Sequence, residues 1–126
     1  MTNANKGKKI LIVEDSKSYL LVLSQALEKE GFTVFSAEDG EKGLALAEKE
    51  NPDLVLLDIT MPKMDGITMS KKLKEAGIQA PIIFLTNMSD LKHISDATET
   101  ATDYIIKADI NMEGIVARVK ERLNLK

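Results

Sequence analysis

The chain has 126 residues, 44% of them apolar and 29% charged, and a formal net charge of −3, which suits a single domain with one buried core. It contains no cysteine, which excludes disulfides and thiolate metal sites and leaves carboxylates as the available metal ligands. The acidic balance without a basic cluster argues against direct nucleic-acid binding, and the lack of a long apolar segment or signal-peptide pattern predicts a cytoplasmic protein without membrane association.

Short apolar runs alternate with segments of helical periodicity along the chain. Residues 1–7 are polar and aperiodic, so we predict a disordered tail followed by one domain over residues 8–126. Strands are predicted over residues 10–13, 32–35, 54–57, 82–85 and 104–106, and helices over residues 16–30, 40–50, 67–76, 89–98 and 111–123. The strands are continuously apolar, which predicts a parallel sheet covered by helices on both faces, a doubly wound α/β fold.

Turn residues and helical periodicity support this assignment. Asp39 is a candidate N-cap for the second helix, while Gly31, Gly77 and the pair Asn51-Pro52 end the first, third and second helices. The first helix carries a predicted core stripe made of Tyr19, Val22, Leu23, Ala26 and Leu27. In this interpretation Leu21 lies on the opposite face and Leu20 at the margin of the stripe.

Polar side chains stand at the carboxyl ends of four predicted strands. They are Glu14 and Asp15 after the first strand, Asp58 after the third, Thr86 after the fourth and Lys107 after the fifth. Open parallel sheets bind ligands outside the carboxyl ends of their strands, and neighbouring strands lie only ~4.8 Å apart. These five side chains are therefore expected to share one small site.

The residue types at this edge favour phosphoryl chemistry with a metal ion. Three crowded carboxylates repel one another unless a cation lies among them, and Mg²⁺ is commonly held by one or two carboxylates, waters and a phosphate oxygen. Asp58 would then be both metal ligand and nucleophile, forming an acyl phosphate whose oxygens Lys107 and Thr86 stabilise. Each residue has a simpler explanation: Asp15 or Thr86 as a helix cap, Lys107 as a solvated lysine. Their coincidence at one edge favours the site.

Over residues 8–123 the chain resembles the receiver domain of two-component response regulators, of the stand-alone chemotaxis type. The resemblance rests on Glu14-Asp15, on the run from Asp58 to Gly66, on Thr86, and on Tyr104 three residues before Lys107. It implies the flavodoxin-like strand order 2-1-3-4-5. It also implies that Asp58 receives phosphate from a phosphohistidine on a sensor kinase or phosphotransfer protein, without turnover of an external substrate as in an enzyme.

The resemblance further implies a ligand set for Mg²⁺. Asp15 and Asp58 would bind the ion directly, the backbone carbonyl of Thr60 would complete the protein ligands, and Glu14 would act through water.

The same resemblance implies a conformational switch. Lys107 would pair with the phosphoryl oxygens, Thr86 would swing inward to the phosphoryl group, and the Tyr104 ring would fill the vacated space. This movement would remodel the face formed by helix four, strand five and helix five.

Two partner predictions accompany the family resemblance. Receivers often dock their kinase or phosphotransfer partner through the first helix, which makes Leu20 and Leu21 docking candidates; scattered surface leucines are the alternative. We expect a monomer or weak dimer. No output domain follows Leu123, which predicts a stand-alone receiver, although an excised domain would read the same way.

The chain also departs from the family pattern. Ala108 follows Lys107 where proline is usual, so we predict a trans bond there and a differently placed lysine loop. A module that docks without phosphorylation is therefore kept as an alternative. A haloacid dehalogenase-like phosphatase is disfavoured by Thr60, where that class has a second acid, and a flavodoxin-like cofactor binder by Glu14-Asp15, which would repel phosphate. The fourth helix, poor in apolar anchors, is predicted to be soft.

Overall fold

The computed structural model describes residues 7–59, 64–86 and 103–124. The strands are β1 Lys9–Val13, β2 Thr33–Ala37, β3 Leu54–Asp58, β4 Ile82–Thr86 and β5 Asp103–Ile106. The helices are α1 Lys17–Lys29, α2 Gly40–Glu50, α3 Gly66–Glu75 and the C-terminal helix Met112–Arg122, which follows a short 3-10 turn, Lys107–Asp109. Residues 1–6 of the predicted tail and the predicted fourth helix lie outside the described residues. Within those residues no helix has the length and apolar character needed to cross a bilayer.

The five strands form one parallel sheet in the order β2-β1-β3-β4-β5. This confirms the predicted fold class and strand order. The register aligns the carboxyl ends of the strands, because Val13 lies opposite Leu57 and Asp58 lies opposite Leu85. Residues that end different strands therefore meet at one edge, as the sequence predicted.

Helices cover both faces of the sheet and enclose two apolar cores. On one face α2 and α3 pack on alternate strand residues such as Leu11, Val55 and Leu57. On the other face α1 and the C-terminal helix pack on Ile10 and the strand residues of the opposite parity. Because side chains alternate across a strand and both faces are covered, every position of β3 and β4 is buried.

The helix ends use the turn chemistry that the sequence indicates. Asp39 accepts a hydrogen bond from the Lys42 N–H at 2.9 Å, which confirms it as the α2 N-cap. Gly31, Asn51 and Gly77 take positive φ angles of 99°, 49° and 83° at or just after helix ends. Glycine adopts positive φ angles without steric strain, and asparagine does so with little strain. These residues can therefore terminate the helices.

The α1 N-cap is Ser16, whose hydroxyl accepts from the Tyr19 N–H. Asp15 is therefore not the N-cap that the alternative interpretation of this residue required.

The buried face of α1 agrees with most of the predicted stripe, because Leu23 and Leu27 are buried and Tyr19 and Ala26 pack against the same core, and it differs at one edge. Leu20 is buried, with only 8% of its surface exposed, whereas Val22 is 48% exposed and Leu21 is 59% exposed. The core side of the helix is formed by Leu20, Leu23 and Leu27. Four consecutive apolar residues, from Leu20 to Leu23, leave the edge of the stripe undetermined, so periodicity alone placed that edge at Val22 rather than at Leu20. Leu20 is consequently not available as a docking residue, and the prediction that Val22 belongs to the core was wrong.

Alanine substitutions on α1 test the observed helix rotation. Leu20→Ala is expected to lower the free energy of unfolding by about 2–4 kcal/mol, because it opens a cavity in a packed core. Leu21→Ala should change it by less than about 0.5 kcal/mol, because this side chain is exposed. Urea denaturation of both variants measures the difference; equal losses would contradict the observed rotation.

Candidate functional site

Three carboxylates meet where β1 and β3 end. Glu14 and Asp15 follow β1 directly and Asp58 is the last residue of β3. One carboxylate oxygen from each lies within 4.8 Å of the others. Glu14 and Asp58 are buried, with 1% and 3% of their surfaces exposed, while Asp15 is exposed. The predicted acidic cluster is thus present, with one side open to solvent.

Lys107 brings a positive charge into this cluster from the end of β5. Its ammonium lies 2.6 Å from Glu14 Oε2 and 3.8 Å from Asp58 Oδ2. The peptide bond to Ala108 is trans, as predicted. The change from proline to alanine therefore leaves the amine beside Asp58, although its closest partner is Glu14.

Both oxygens of Glu14 are hydrogen-bonded. Oε2 accepts from Lys107, and Oε1 accepts from the Ser16 N–H at 3.1 Å. These bonds fix the buried carboxylate at the start of α1. They satisfy a charge that would otherwise be costly to bury.

The charges at the site are unbalanced in favour of a cation. Among the described residues, Glu14, Asp15 and Asp58 contribute three negative charges to the cluster and Lys107 one positive charge. A small hard cation with oxygen ligands would offset the remainder, and carboxylates with an open, solvent-facing side are the ligands that Mg²⁺ uses in proteins. The residues present therefore fit this ion.

Tyr19, in the first turn of α1, completes the site. Its ring centroid lies 4.5 Å from the Lys107 ammonium. Its hydroxyl oxygen is buried and has no hydrogen-bond partner among the described residues. Burial, and then the nearby charges of Glu14 and Asp58, raise the pKa of Tyr19 to about 12. The sequence assigned Tyr19 only to the core stripe, yet a phenol in the helix turn after an acidic pair was an available signal.

Alkaline titration is expected to reveal this environment of Tyr19. The fold favours the neutral phenol, so the contribution of Tyr19 to stability is complete below its ordinary pKa of about 10. It is lost as the pH rises through about 12, the pKa in the folded protein. We therefore compare the free energies of unfolding of the metal-free wild type and of Tyr19→Phe. The wild-type value minus the variant value should decrease as the pH rises from about 10 to about 12. A difference that stays constant over this range would contradict the assignment.

Thr86 and Tyr104 lie on adjacent strands. Thr86 ends β4 and is completely buried, with 0% of its surface exposed. Tyr104 lies opposite Phe84, and Phe84 and Thr86 share a face because side chains alternate along a strand. Tyr104 therefore lies on the same face of the sheet as Thr86, with its side chain 44% exposed. The structure brings the two predicted switch residues to one face.

Gly66 supports Asp58 in a way that the sequence did not reveal. A Cβ atom on Gly66 would lie 2.3 Å from the carbonyl oxygen of Asp58 and 2.9 Å from the Cα atom of Ile59. The Gly66 N–H also donates to the Ile59 carbonyl at 2.9 Å. The first turn of α3 thus packs directly on the backbone of the reactive strand end, which only glycine permits. Thr60, the predicted carbonyl ligand, lies outside the described residues.

Comparison with known proteins places this arrangement in a family. Residues 10–120 match the response regulator receiver domain. The chain belongs to this family. Among curated relatives, chemotaxis protein CheY of Bacillus subtilis is 39% identical, with 85% of this chain and 93% of that protein aligned. Sporulation initiation phosphotransferase F of the same organism is 34% identical, over 95% of this chain and 97% of that protein.

Other receivers agree in structure and differ in length. A CheY-like receiver domain protein from Methanospirillum hungatei JF-1 is 32% identical with a TM-score of 0.87, over 93% of this chain and 94% of that one. The alkaline phosphatase synthesis transcriptional regulatory protein PhoP of Bacillus subtilis is 40% identical over 90% of this chain. The chain spans only 48% of that regulator. Receiver domains are signalling modules.

Proposed function

We propose that this receiver accepts a phosphoryl group on Asp58 and changes its surface in response. The observation that carries the proposal is the placement of Asp58 at a buried strand end, within one cluster with Glu14 and Asp15 and 3.8 Å from Lys107. The proposed donor is a phosphohistidine on a sensor kinase or phosphotransfer protein. The likeness to sporulation initiation phosphotransferase F over nearly all of both chains supports a place in phosphoryl relay.

In the proposed reaction a carboxylate oxygen of Asp58 attacks the phosphorus of the donor. The bond to the donor histidine nitrogen breaks, and an acyl phosphate forms on Asp58. Asp15 and Asp58 would hold Mg²⁺ directly, and the ion would supply charge stabilisation for the transferring oxygens. Glu14 would act through water, which is supported by the engagement of both its oxygens with Ser16 and Lys107.

Lys107 and Thr86 would contact the phosphoryl group, and their movement would change the conformation of the neighbouring surface. The ammonium, 3.8 Å from Asp58 Oδ2, would exchange part of its contact with Glu14 for contact with the oxygens of a phosphoryl group carried by Asp58. Thr86 would then turn toward the phosphoryl group and Tyr104, on the same face of the sheet, would move from its exposed position. The output face would include β5 and the C-terminal helix.

The experiment that tests this function adds Mg²⁺ and beryllofluoride, a phosphoryl mimic, and follows backbone amide shifts. We expect shifts that spread from Asp58 to Thr86 and Tyr104 and that are lost in Asp58→Asn. Asp109→Asn, an exposed acid in the 3-10 turn after β5, is the matched control and should respond like the wild type. Shifts that persist in Asp58→Asn would overturn the proposal.

The alternative of docking without phosphorylation rested on Ala108. The alanine does not remove the Lys107 amine from the neighbourhood of Asp58, so this alternative gains no support from the site geometry. It would be favoured by a wild-type protein that binds a partner equally well with and without beryllofluoride.

The proposed docking element for the phosphodonor is the exposed side of α1. Leu21 is 59% exposed there, and Val22 beside it is 48% exposed. Leu21→Asp is expected to slow transfer from a phosphorylated histidine phosphotransfer protein and to leave uptake from acetyl phosphate unchanged. Equal slowing with both donors would show that the variant damages the site rather than the docking.

A further inference from the structure

An aromatic ring, an ammonium group and two buried carboxylates converge at the end of the sheet. The Lys107 ammonium lies 4.5 Å from the Tyr19 ring centroid, 2.6 Å from Glu14 and 3.8 Å from Asp58. The Lys107 side chain is mostly buried, with 16% of its surface exposed. A long, flexible lysine has many rotamers in solution, so its confinement at this point requires several simultaneous attractions.

We propose that Tyr19 is a positioning residue for Lys107. The face of its ring holds the ammonium beside Glu14 and Asp58, so that the amine is already in place when a phosphoryl group arrives on Asp58. This inference rests on the proposed phosphoacceptor function. It assigns to α1, through Tyr19, a part in phosphoryl transfer that is separate from partner docking.

The 4.5 Å between the Lys107 ammonium and the Tyr19 ring centroid is within the range of a cation–π interaction. A cation within about 6 Å of a tyrosine ring centroid is attracted by the negative face of the ring, and the attraction strengthens as water is excluded. Lys107 starts a 3-10 turn only three residues long, Lys107–Asp109, so the backbone around it offers little further restraint. The ring of Tyr19 is anchored, because it packs against the core on the α1 face of the sheet.

The hydroxyl of Tyr19 is not part of this contact. It has no hydrogen-bond partner in the part of the chain that the structure describes, so the proposed role belongs to the ring alone. Phenylalanine should therefore replace Tyr19 in function, whereas leucine, of similar apolar character but without a ring face, should not. A residue that served only to pack α1 on the sheet would affect stability and leave Lys107 unchanged.

The first test is spectroscopic and needs neither metal nor phosphoryl group. Ring currents of Tyr19 should displace the ε-methylene proton resonances of Lys107 upfield in the wild type and in Tyr19→Phe. In Tyr19→Leu these resonances should return toward the positions of a solvated lysine. Lys120, which pairs with Glu30 across the α1 and C-terminal helices, is the reference lysine and should be unchanged in all three proteins. Unchanged Lys107 resonances in Tyr19→Leu would overturn the proposal.

The second test is a double-mutant cycle on phosphoryl uptake from acetyl phosphate with Mg²⁺. Tyr19→Leu should slow uptake about three- to tenfold, the range of a cation–π contact of this kind, while Tyr19→Phe should stay within about twofold of the wild type. In a Lys107→Met background, Tyr19→Leu should have no further effect, because the group that the ring positions is gone. Additive losses would show that Tyr19 acts independently of Lys107 and would overturn the proposal.

The two tests separate this inference from the proposed function. If the wild type does not become phosphorylated on Asp58, the proposed function fails and the role of Tyr19 in phosphoryl transfer fails with it. The Lys107 resonances still decide whether the ring holds the ammonium. If the wild type is phosphorylated and Tyr19→Leu is as fast, only the role assigned to Tyr19 fails. Because every protein in the spectroscopic test retains Lys107, instability of Lys107→Met cannot obscure the answer.

Discussion

Replacing Lys107 by methionine is expected to lower the free energy of unfolding of the metal-free protein by about 3–5 kcal/mol, as when one partner is removed from a buried ion pair. The substitution leaves Glu14, of which 1% is exposed, without the ammonium 2.6 Å from it. Phosphoryl uptake by Asp58 should also fall about 100-fold, the scale of removing one hydrogen-bond donor that stabilises developing charge in a transition state.

Mg²⁺ should return part of the lost stability. Without Lys107 the three carboxylates no longer share an ammonium, so a divalent cation meets less repulsion and binds more tightly. An ion that binds only the folded state stabilises it in proportion to the logarithm of its concentration over its dissociation constant. Denaturant titrations of the wild type and Lys107→Met, each with and without Mg²⁺, should show the larger gain in the variant.

Lys120→Met is the matched control, because it also removes a lysine from an ion pair. Its partner Glu30 has a side chain that is 36% exposed, so water replaces the lost contact. Such pairs contribute about 0–1 kcal/mol, and no response to Mg²⁺ is expected. Similar losses in the two variants, or a gain from Mg²⁺ that is the same in Lys107→Met and the wild type, would contradict the charge balance described here.

The position of the acidic cluster could be predicted because it depends on topology alone. Continuous apolar runs predict covered parallel strands, and the carboxyl ends of such strands must lie at one edge of a sheet. Glu14, Asp15 and Asp58 follow from that rule without knowledge of any side-chain rotamer. Lys107 also follows from it, although the sequence could not tell that its closest partner is Glu14.

The edge of the buried α1 face and the role of Tyr19 could not be obtained in the same way. The apolar run from Leu20 to Leu23 leaves that edge undetermined, and its position is set by the strand side chains that α1 covers. The contact between Tyr19 and Lys107 joins residues at opposite ends of the chain. Such a contact depends on side-chain directions as well as on strand order, which is why helical periodicity assigned Tyr19 only to packing.

Gly66 shows a third kind of limit. The sequence identified it as the end of a family motif, but its physical function is the absence of a Cβ atom beside the Asp58 carbonyl. Close approach between a helix start and a strand end is a property of the assembled backbone. A glycine in a sequence can be needed for either of two reasons: a backbone φ angle that other residues avoid, or a position without room for a Cβ atom. Only the structure shows which reason applies.

Gly66→Ala is therefore expected to destabilise the fold and to impair Asp58 together. The new methyl group would lie 2.3 Å from the Asp58 carbonyl oxygen, a contact that requires backbone movement rather than a change of rotamer. Overpacking of this kind costs about 1–3 kcal/mol, although alanine gains helix propensity over glycine. Because the displaced backbone is that of the reactive residue, phosphoryl uptake should slow even in molecules that remain folded.

Gly114→Ala in the C-terminal helix provides the comparison. Gly114 is also a first-turn helix glycine with close neighbours, but these are side-chain atoms, of Ile110 at 2.4 Å and of Asn111 at 3.3 Å, rather than backbone. We expect the free energy of unfolding of this variant to lie within about 1 kcal/mol of the wild-type value, because the gain of about 1 kcal/mol in helix propensity offsets the crowding. Its rate of phosphoryl uptake should be unchanged. If Gly66→Ala matched Gly114→Ala in both stability and uptake, the backbone of Asp58 would not depend on the contact with α3.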